Sequence, residues 1–285
     1  MVGTASILSM ILTLCICMIV PIVALIIYAV KNKGKGVWLA WFLGAAGFFV
    51  MQIVIRTPIL SLLSLNQGFI KFANDYYIVY VAILAFTAAL FEVVARFVGA
   101  LILKKKQCYE VAVGAGLGHG GIEAMFLIGM TYVNNLLYSV MINTGVFDAM
   151  IESTAQTGVD VTALWDMKKT LIETAPSMFL LAGYERILTM ILHVAMTVLV
   201  FYFVDKKKSV IGVALCLLIH TVIDFVPGFV QGASIYGYLG GKFPIGAAYA
   251  IIYAFLTAMA VASIVIVISI RKNGKINKRL RGLHL

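Results

Sequence analysis

Charge is scarce in this sequence. Only 12% of its 285 residues are Asp, Glu, Lys or Arg, whereas 62% are hydrophobic; soluble domains average roughly 25% charged residues. The shortage excludes an ordinary water-soluble globule and places the chain in the membrane class. Acids are scarcest, 12 against 22 Lys and Arg, for a formal charge of +10. An excess of that size raises the question of nucleic acid, but the basic residues do not gather on a soluble domain. They form short clusters between apolar runs: Lys31, Lys33 and Lys35, then Lys104, Lys105 and Lys106, then Lys206, Lys207 and Lys208, then a tail from Arg271 to Arg281. Clusters so placed set topology and touch anionic lipid headgroups, and no nucleic-acid partner is expected.

Cysteine is also rare. Cys15, Cys17, Cys108 and Cys216 include no C-x-x-C pair, which argues against a disulfide framework and a cysteine zinc site and leaves buried, inert thiols. The opening MVGTASILSM lacks the positive n-region of a cleavable signal peptide, so the first apolar run is retained as a span. No internal repeat and no soluble domain is visible.

Apolar runs long enough to cross a bilayer, which takes about 20 residues, are abundant. Seven qualify: 5–30, 37–63, 76–103, 110–133, 177–204, 209–230 and 243–270. The loops after spans 1, 3 and 5, with the tail, hold 15 of the 22 Lys and Arg. Those after spans 2, 4 and 6 hold only Lys71, Lys168, Lys169 and Lys242. Excess Lys and Arg marks the cytoplasmic side. The expected fold is therefore an all-α, polytopic membrane bundle of seven helices, with the N-terminus outside and the C-terminus cytoplasmic. Residues 1–270 read as one transmembrane domain and 271–285 as a basic cytoplasmic tail. The long outer loop, 134–176, contains Val161, Leu164, Trp165, Lys168, Leu171 and Ile172 at amphipathic-helix spacing, a surface helix closing the bundle or a lid over a cavity. Pro227-Gly228 is expected to end span 6, and Gly232, Gly237, Gly240 and Gly241 to loosen the loop beyond it.

Ionisable residues inside a bilayer cost about 2.5–3.5 kcal/mol each on insertion scales and are functional candidates by default. The spans contain Arg56, Glu92, Arg96, His119, Glu123, Glu185, Arg186, His193, His220 and Asp224. With the lysine clusters as a ruler, Glu92, His119, His193 and His220 each lie about 9 to 11 residues from the basic end of their span. At about 1.5 Å per residue that is roughly 14–17 Å, near the midplane of a ~30 Å core. Four helices thus offer one polar group each at one level. Glu92–Arg96, His119–Glu123 and His220–Asp224 share helix faces at i, i+4; the first is a charge pair, and in the others the carboxylate can fix the imidazole tautomer, as it does behind histidine metal ligands. Arg186 faces the same way as His193 but two turns outward, and Glu185 has no assigned chemistry. Arg56, two residues before Pro58, reads as a packing or rim residue.

One buried histidine is as well explained by a hydrogen-bonded link between helices. Three at one depth, with two acids behind them, are better explained by a site. Gly116, Gly118 and Gly121 satisfy G-x-G-x-x-G literally, yet no βαβ unit surrounds them. Together with Gly114 and Gly120 they read as small residues that admit a neighbouring helix or substrate and leave His119 uncrowded.

The segments FEVVAR around Glu92 and Arg96, GLGHGGIE around His119 and Glu123, and HTVID around His220 and Asp224 resemble the YhfC-type membrane peptidases, a branch of the CAAX-protease and bacteriocin-processing superfamily. The resemblance covers spans 3 to 6, about half the chain. It aligns Arg96 with the arginine of the superfamily's E-E-x-x-x-R motif, Glu92 with its second glutamate, His119 with the next histidine, and His220 with Asp224 as the last motif. The first glutamate, the water activator in CAAX proteases, is Phe91 here, so His193, Glu123 or Glu92 must compensate and a metal-based mechanism gains ground. The resemblance implies hydrolysis of membrane-embedded peptides in a bacterial cytoplasmic membrane. His119, His193 and His220 would hold Zn²⁺ with water in the fourth position, and Glu92 or Glu123 would be the general base. Asp224 would orient His220, and Arg96 would keep Glu92 ionised. Without a metal, glutamate and His119 would activate water while His220 and Asp224 stabilise the oxyanion. A transporter or ion carrier could use the same midplane groups, and a non-catalytic immunity or assembly factor could retain them.

Overall fold

The computed structural model describes residues 1–237 and 243–272. Gly240, Gly241 and Lys242, and the tail from residue 273 onward, lie outside the described residues. The described chain is all-helical. Seven helices are long and apolar enough to cross a membrane: α1 (Thr4–Lys31), α2 (Val37–Leu63), α4 (Tyr77–Ile102), α5 (Tyr109–Asn143), α8 (Pro176–Asp205), α9 (Ser209–Tyr236) and α10 (Ile245–Lys272). Three shorter helices complete the order: α3 (Gln67–Asp75), α6 (Val146–Ala155) and α7 (Thr162–Glu173).

Two of these helices depart from the sequence expectation. Span 4 continues ten residues beyond 133, to Asn143. Thr131, Asn134 and Asn135 end its apolar character but not its helicity, because a helix satisfies its own backbone whatever its side chains. Pro227-Gly228 does not end span 6, since α9 continues to Tyr236 and stops at Gly237, which takes a left-handed conformation at φ 69°. A membrane helix tolerates the proline because leaving the helix would strand more backbone groups than the single bond it forfeits. At Gly228 a Cβ would lie 2.6 Å from Val81 Cγ1, so glycine here permits close packing of α9 on α4.

Helix α2 changes winding at mid-length. Residues Phe49–Arg56 form a π-helical segment, closed where Thr57 N–H donates to Gln52 O, five residues back. Pro58 follows at the start of the next α-helical turn, and having no N–H it could not have continued an unbroken ladder. A second π-helical segment, Ala124–Gly129, interrupts α5 directly after Glu123.

The chain forms two compact units. The first comprises Met1–Val23 and Glu123–Ile187. Its core gathers Met10, Tyr132, Ile142, Phe147, Ile151 and Phe179, and two polar clasps reinforce it. Asn143 accepts from Val2 N–H at 2.7 Å and donates to Val2 O at 3.0 Å; Thr13 and Tyr132 both donate to Phe179 O, at 2.7 and 2.9 Å. The expected amphipathic helix is α7, with Leu171 buried and Trp165 exposed. Thr162 N–H and Oγ1 both donate to Asp160 at its start, which holds that carboxyl below the usual range.

The second unit comprises Ala24–Ile122 and Leu188–Leu285. Its core includes Val93, Val111, Leu192, Val200, Phe201 and Cys216. Helix α5 runs here within backbone contact of its neighbours. A Cβ on Gly118 would fall onto the carbonyl of Trp41 in α2, and one on Gly116 would lie 2.6 Å from Val194 Cα in α8. The glycine run thus admits two helices rather than opening space. His119 consequently packs tightly, edge-on to Phe48 with ring centroids 5.2 Å apart, and is not uncrowded.

Candidate functional site

Glu92 is the hub of a buried polar centre in the second unit. It sits mid-helix on α4, and its two oxygens face different partners. Oε1 accepts from Gln52 Nε2 at 2.9 Å. Oε2 lies 2.9 Å from Arg96 Nη2, one turn along the same helix, and 2.9 Å from His119 Nε2 on α5. The same oxygen is 3.6 Å from His193 Nδ1 on α8 and 3.7 Å from His220 Nε2 on α9. Four membrane helices therefore deliver one carboxylate and three imidazoles to a single point. All of these residues are buried.

Arg96 organises the imidazoles as well as the carboxylate. Its Nη2 lies 2.6 Å from His193 Nδ1, and its Nη1 lies 3.3 Å from His220 Nδ1. A guanidinium has donors only, so both Nδ1 atoms accept, and each neutral ring carries its proton on Nε2. For His220 that Nε2–H faces Asp224 Oδ2 at 3.4 Å, one turn along α9. Glu92 already accepts from Gln52 and Arg96, so His119 Nε2 is the donor to its Oε2. Successive rings sit close, His119 to His193 at 5.2 Å and His193 to His220 at 5.8 Å between centroids.

The structure thus brings together Glu92, Arg96, His119, His193 and His220, with Asp224 at the margin. In the first unit Glu123 accepts from Arg186 Nη1 at 2.8 Å, and Arg186 Nη2 also donates to Glu185. His119 pairs with Glu92, and the half-buried Glu185, to which no chemistry was assigned, completes a triad around Arg186. Isolated in a bilayer, each of these charges would be costly; paired, they compensate one another.

Gln52 escaped the sequence reading, which weighed ionisable residues alone. Its signal was available: a lone amide inside an apolar span, one helical turn before an arginine. Arg56 Nη1 donates to Gln52 Oε1 at 3.2 Å, and Nη2 donates to Leu84 O at 2.8 Å. Arg56 thus links α2 to α4, the packing role that was one of the two expected of it, and is tied to the centre through Gln52.

Among the described residues, Glu92, His119 and His193 form a group whose donor atoms all lie within 4.8 Å of one another and could hold a metal ion. A cavity of about 10 Å³ lies beside Arg96 and His119, lined also by Gly44, Ala95, Ala115 and Thr197. That is room for the centre of roughly one water molecule.

Residues 16–239 match the family model described as YhfC intramembrane metalloprotease. The chain is also similar to a protein of Bacillus subtilis (strain 168) named "Uncharacterized membrane protein YhfC", with 25% identity over 267 residues, covering 93% of this chain and 97% of the relative. No solved structure matches.

Proposed function

The chain belongs to the YhfC intramembrane metalloprotease family, and from that premise we propose that it hydrolyses peptide bonds of membrane-embedded substrates at the Glu92 centre. The observation that carries the reading is the convergence of three imidazoles from three helices on one buried carboxylate oxygen.

The donor set suits a metal of the zinc type. One carboxylate with two imidazoles is a ligand set that catalytic zinc takes in metallopeptidases. The donor atoms lie close enough together for one ion: Glu92 Oε2 is 2.9 Å from His119 Nε2 and 3.6 Å from His193 Nδ1. We assign the ion to Glu92, His119 and His193, whose donor atoms lie within 4.8 Å of one another; to hold it His119 Nε2 would give up its proton and His193 Nδ1 its hydrogen bond from Arg96, with His220 beside them. When bound, such an ion supplies Lewis-acid polarisation of the scissile carbonyl.

The chain's own groups supply the rest. His220 would take the proton of the attacking water at Nδ1, giving up its hydrogen bond from Arg96, and release its Nε2 proton to the leaving amine, while Asp224 steadies the imidazolium between the two transfers. Arg96 orients the ring of His220 and pairs with the Glu92 carboxylate. Exclusion of bulk water from the buried centre strengthens each of these interactions. With Glu92 among the ligands and Glu123 engaged by Arg186, the His220–Asp224 pair is the proton carrier this geometry favours.

The finer setting belongs to the same proposal. The family is a branch of the CAAX-protease superfamily, supported by the order Glu92-x-x-x-Arg96, His119, His220-x-x-x-Asp224 along the chain. The N-terminus faces outward and the basic tail lies in the cytoplasm, supported by the lysine distribution. The decisive experiment is reconstitution with membrane-spanning model peptides, with cleavage and metal content measured together. Cleavage lost on chelation and restored by zinc is expected; cleavage by metal-free protein would overturn the metal assignment, and no cleavage of any peptide, with solute uptake instead, would overturn the peptidase.

A further inference from the structure

We infer that Gln52 is a positioning residue for Glu92, the second link of a hydrogen-bond chain, Arg56 to Gln52 to Glu92, whose direction is fixed at its origin. Arg56 can only donate, so Gln52 Oε1, 3.2 Å from its Nη1, is necessarily the acceptor. The amide is then oriented without ambiguity, and its NH₂ group faces inward. One hydrogen goes to Ala88 O at 3.1 Å and the other to Glu92 Oε1 at 2.9 Å. Every donor of the amide is used, and all of these groups lie on α2 and α4. Glu92 is thereby held by one oxygen so that the other is presented to the imidazoles.

The backbone serves the same end. Gln52 and Arg56 both lie in the π-helical segment Phe49–Arg56, and the Gln52 carbonyl takes the five-residue bond from Thr57. A π turn widens the helix locally and shifts the direction of its side chains, which is why such segments recur at functional sites. Arg56 is braced independently by Leu84 O at 2.8 Å, so the first link does not depend on Gln52 for its place.

This inference rests on the proposed metallopeptidase reading only for the identity of the ion. Two measurements on full-length protein in detergent keep the two separable: Co²⁺ affinity with its visible spectrum, and ¹⁵N spectra of histidine-labelled, chelator-treated protein. Gln52→Met keeps the length and removes the hydrogen bonds; Gln52→Glu keeps the shape and sets an acceptor against Glu92. Both are expected to melt within a few degrees of the parent. Gln52→Met should bind Co²⁺ about tenfold more weakly with an altered spectrum, and Gln52→Glu more weakly still. In metal-free protein, Gln52→Met should replace the single His119 tautomer by a mixture. Parent-like affinity, spectrum and His119 resonances in Gln52→Met would overturn the inference. A parent protein that binds no Co²⁺ would instead overturn the metal reading, and the His119 resonances would then decide the role of Gln52 alone.

Discussion

Arg96 Nη2 approaches His193 Nδ1 to 2.6 Å, and this contact settles which nitrogen of the ring carries the proton. The same guanidinium reaches Glu92 and His220. Lysine cannot reproduce a planar fork that meets three acceptors. Arg96→Lys is expected to retain the fold but lose on the order of 10²-fold in cleavage, through misplacement of the rings. Arg96→Met should be worse, leaving Glu92 buried without its cation at about 3–5 kcal/mol. Melting temperature and cleavage, read together, check both.

The histidines are expected to separate into two classes. His119→Ala and His193→Ala should lose bound metal together with activity. His220→Ala should retain most of its metal and lose about 10²–10⁴ in rate, the range of a general acid–base group. Elemental analysis of purified variants tests this, and loss of metal from His220→Ala would restore the three-histidine ligand set.

Glu123 and Arg186 give the complementary prediction. Because they pair at 2.8 Å in the first unit, Glu123→Gln should lower the melting temperature while leaving the metal content near that of the parent. Arg186→Met removes the cation that Glu123 and Glu185 share and should cost more, about 3–5 kcal/mol. If Glu123→Gln proves stable, metal-loaded and inactive, Glu123 is the general base after all.

Helix approach at the glycine run is testable without any assay of function. Gly118→Ala places a methyl on the Trp41 carbonyl, and Gly116→Ala places one against Val194 Cα. Each should destabilise by about 1–3 kcal/mol, the ordinary cost of overpacking. Gly3→Ala, with nothing within 4 Å of its Cβ, is the control and should melt like the parent.

The seven spans were legible because a bilayer demands long apolar runs, and the observed Val37–Leu63 coincides with its expected bounds. The shared level of Glu92, His119, His193 and His220 was legible for a related reason: lysine clusters mark one end of each helix, and a helix has a fixed rise. Other features had no local signature. Arg186, which donates to Glu123, lies 63 residues away, and spacing along one helix could propose only His119. Gln52 was overlooked because an uncharged amide costs less to bury than an ion and so draws less notice. The end of α5 was misplaced because polarity was taken for helix termination, whereas backbone hydrogen bonding continued through Asn134 and Asn135.

The depth of the centre has a kinetic corollary. His119, His193 and His220 expose 1%, 4% and 2% of their surfaces, so on the proposed peptidase reading a scissile bond would meet them only once neighbouring helices part. A substrate helix must also release its own backbone bonds before any carbonyl is open to attack. On the proposed peptidase reading, admission rather than bond cleavage is expected to set the turnover. Under that regime the rate would respond to the stiffness and thickness of the surrounding lipid, and a substrate would be chosen by how readily its helix frays rather than by the side chains that flank its cleavage point.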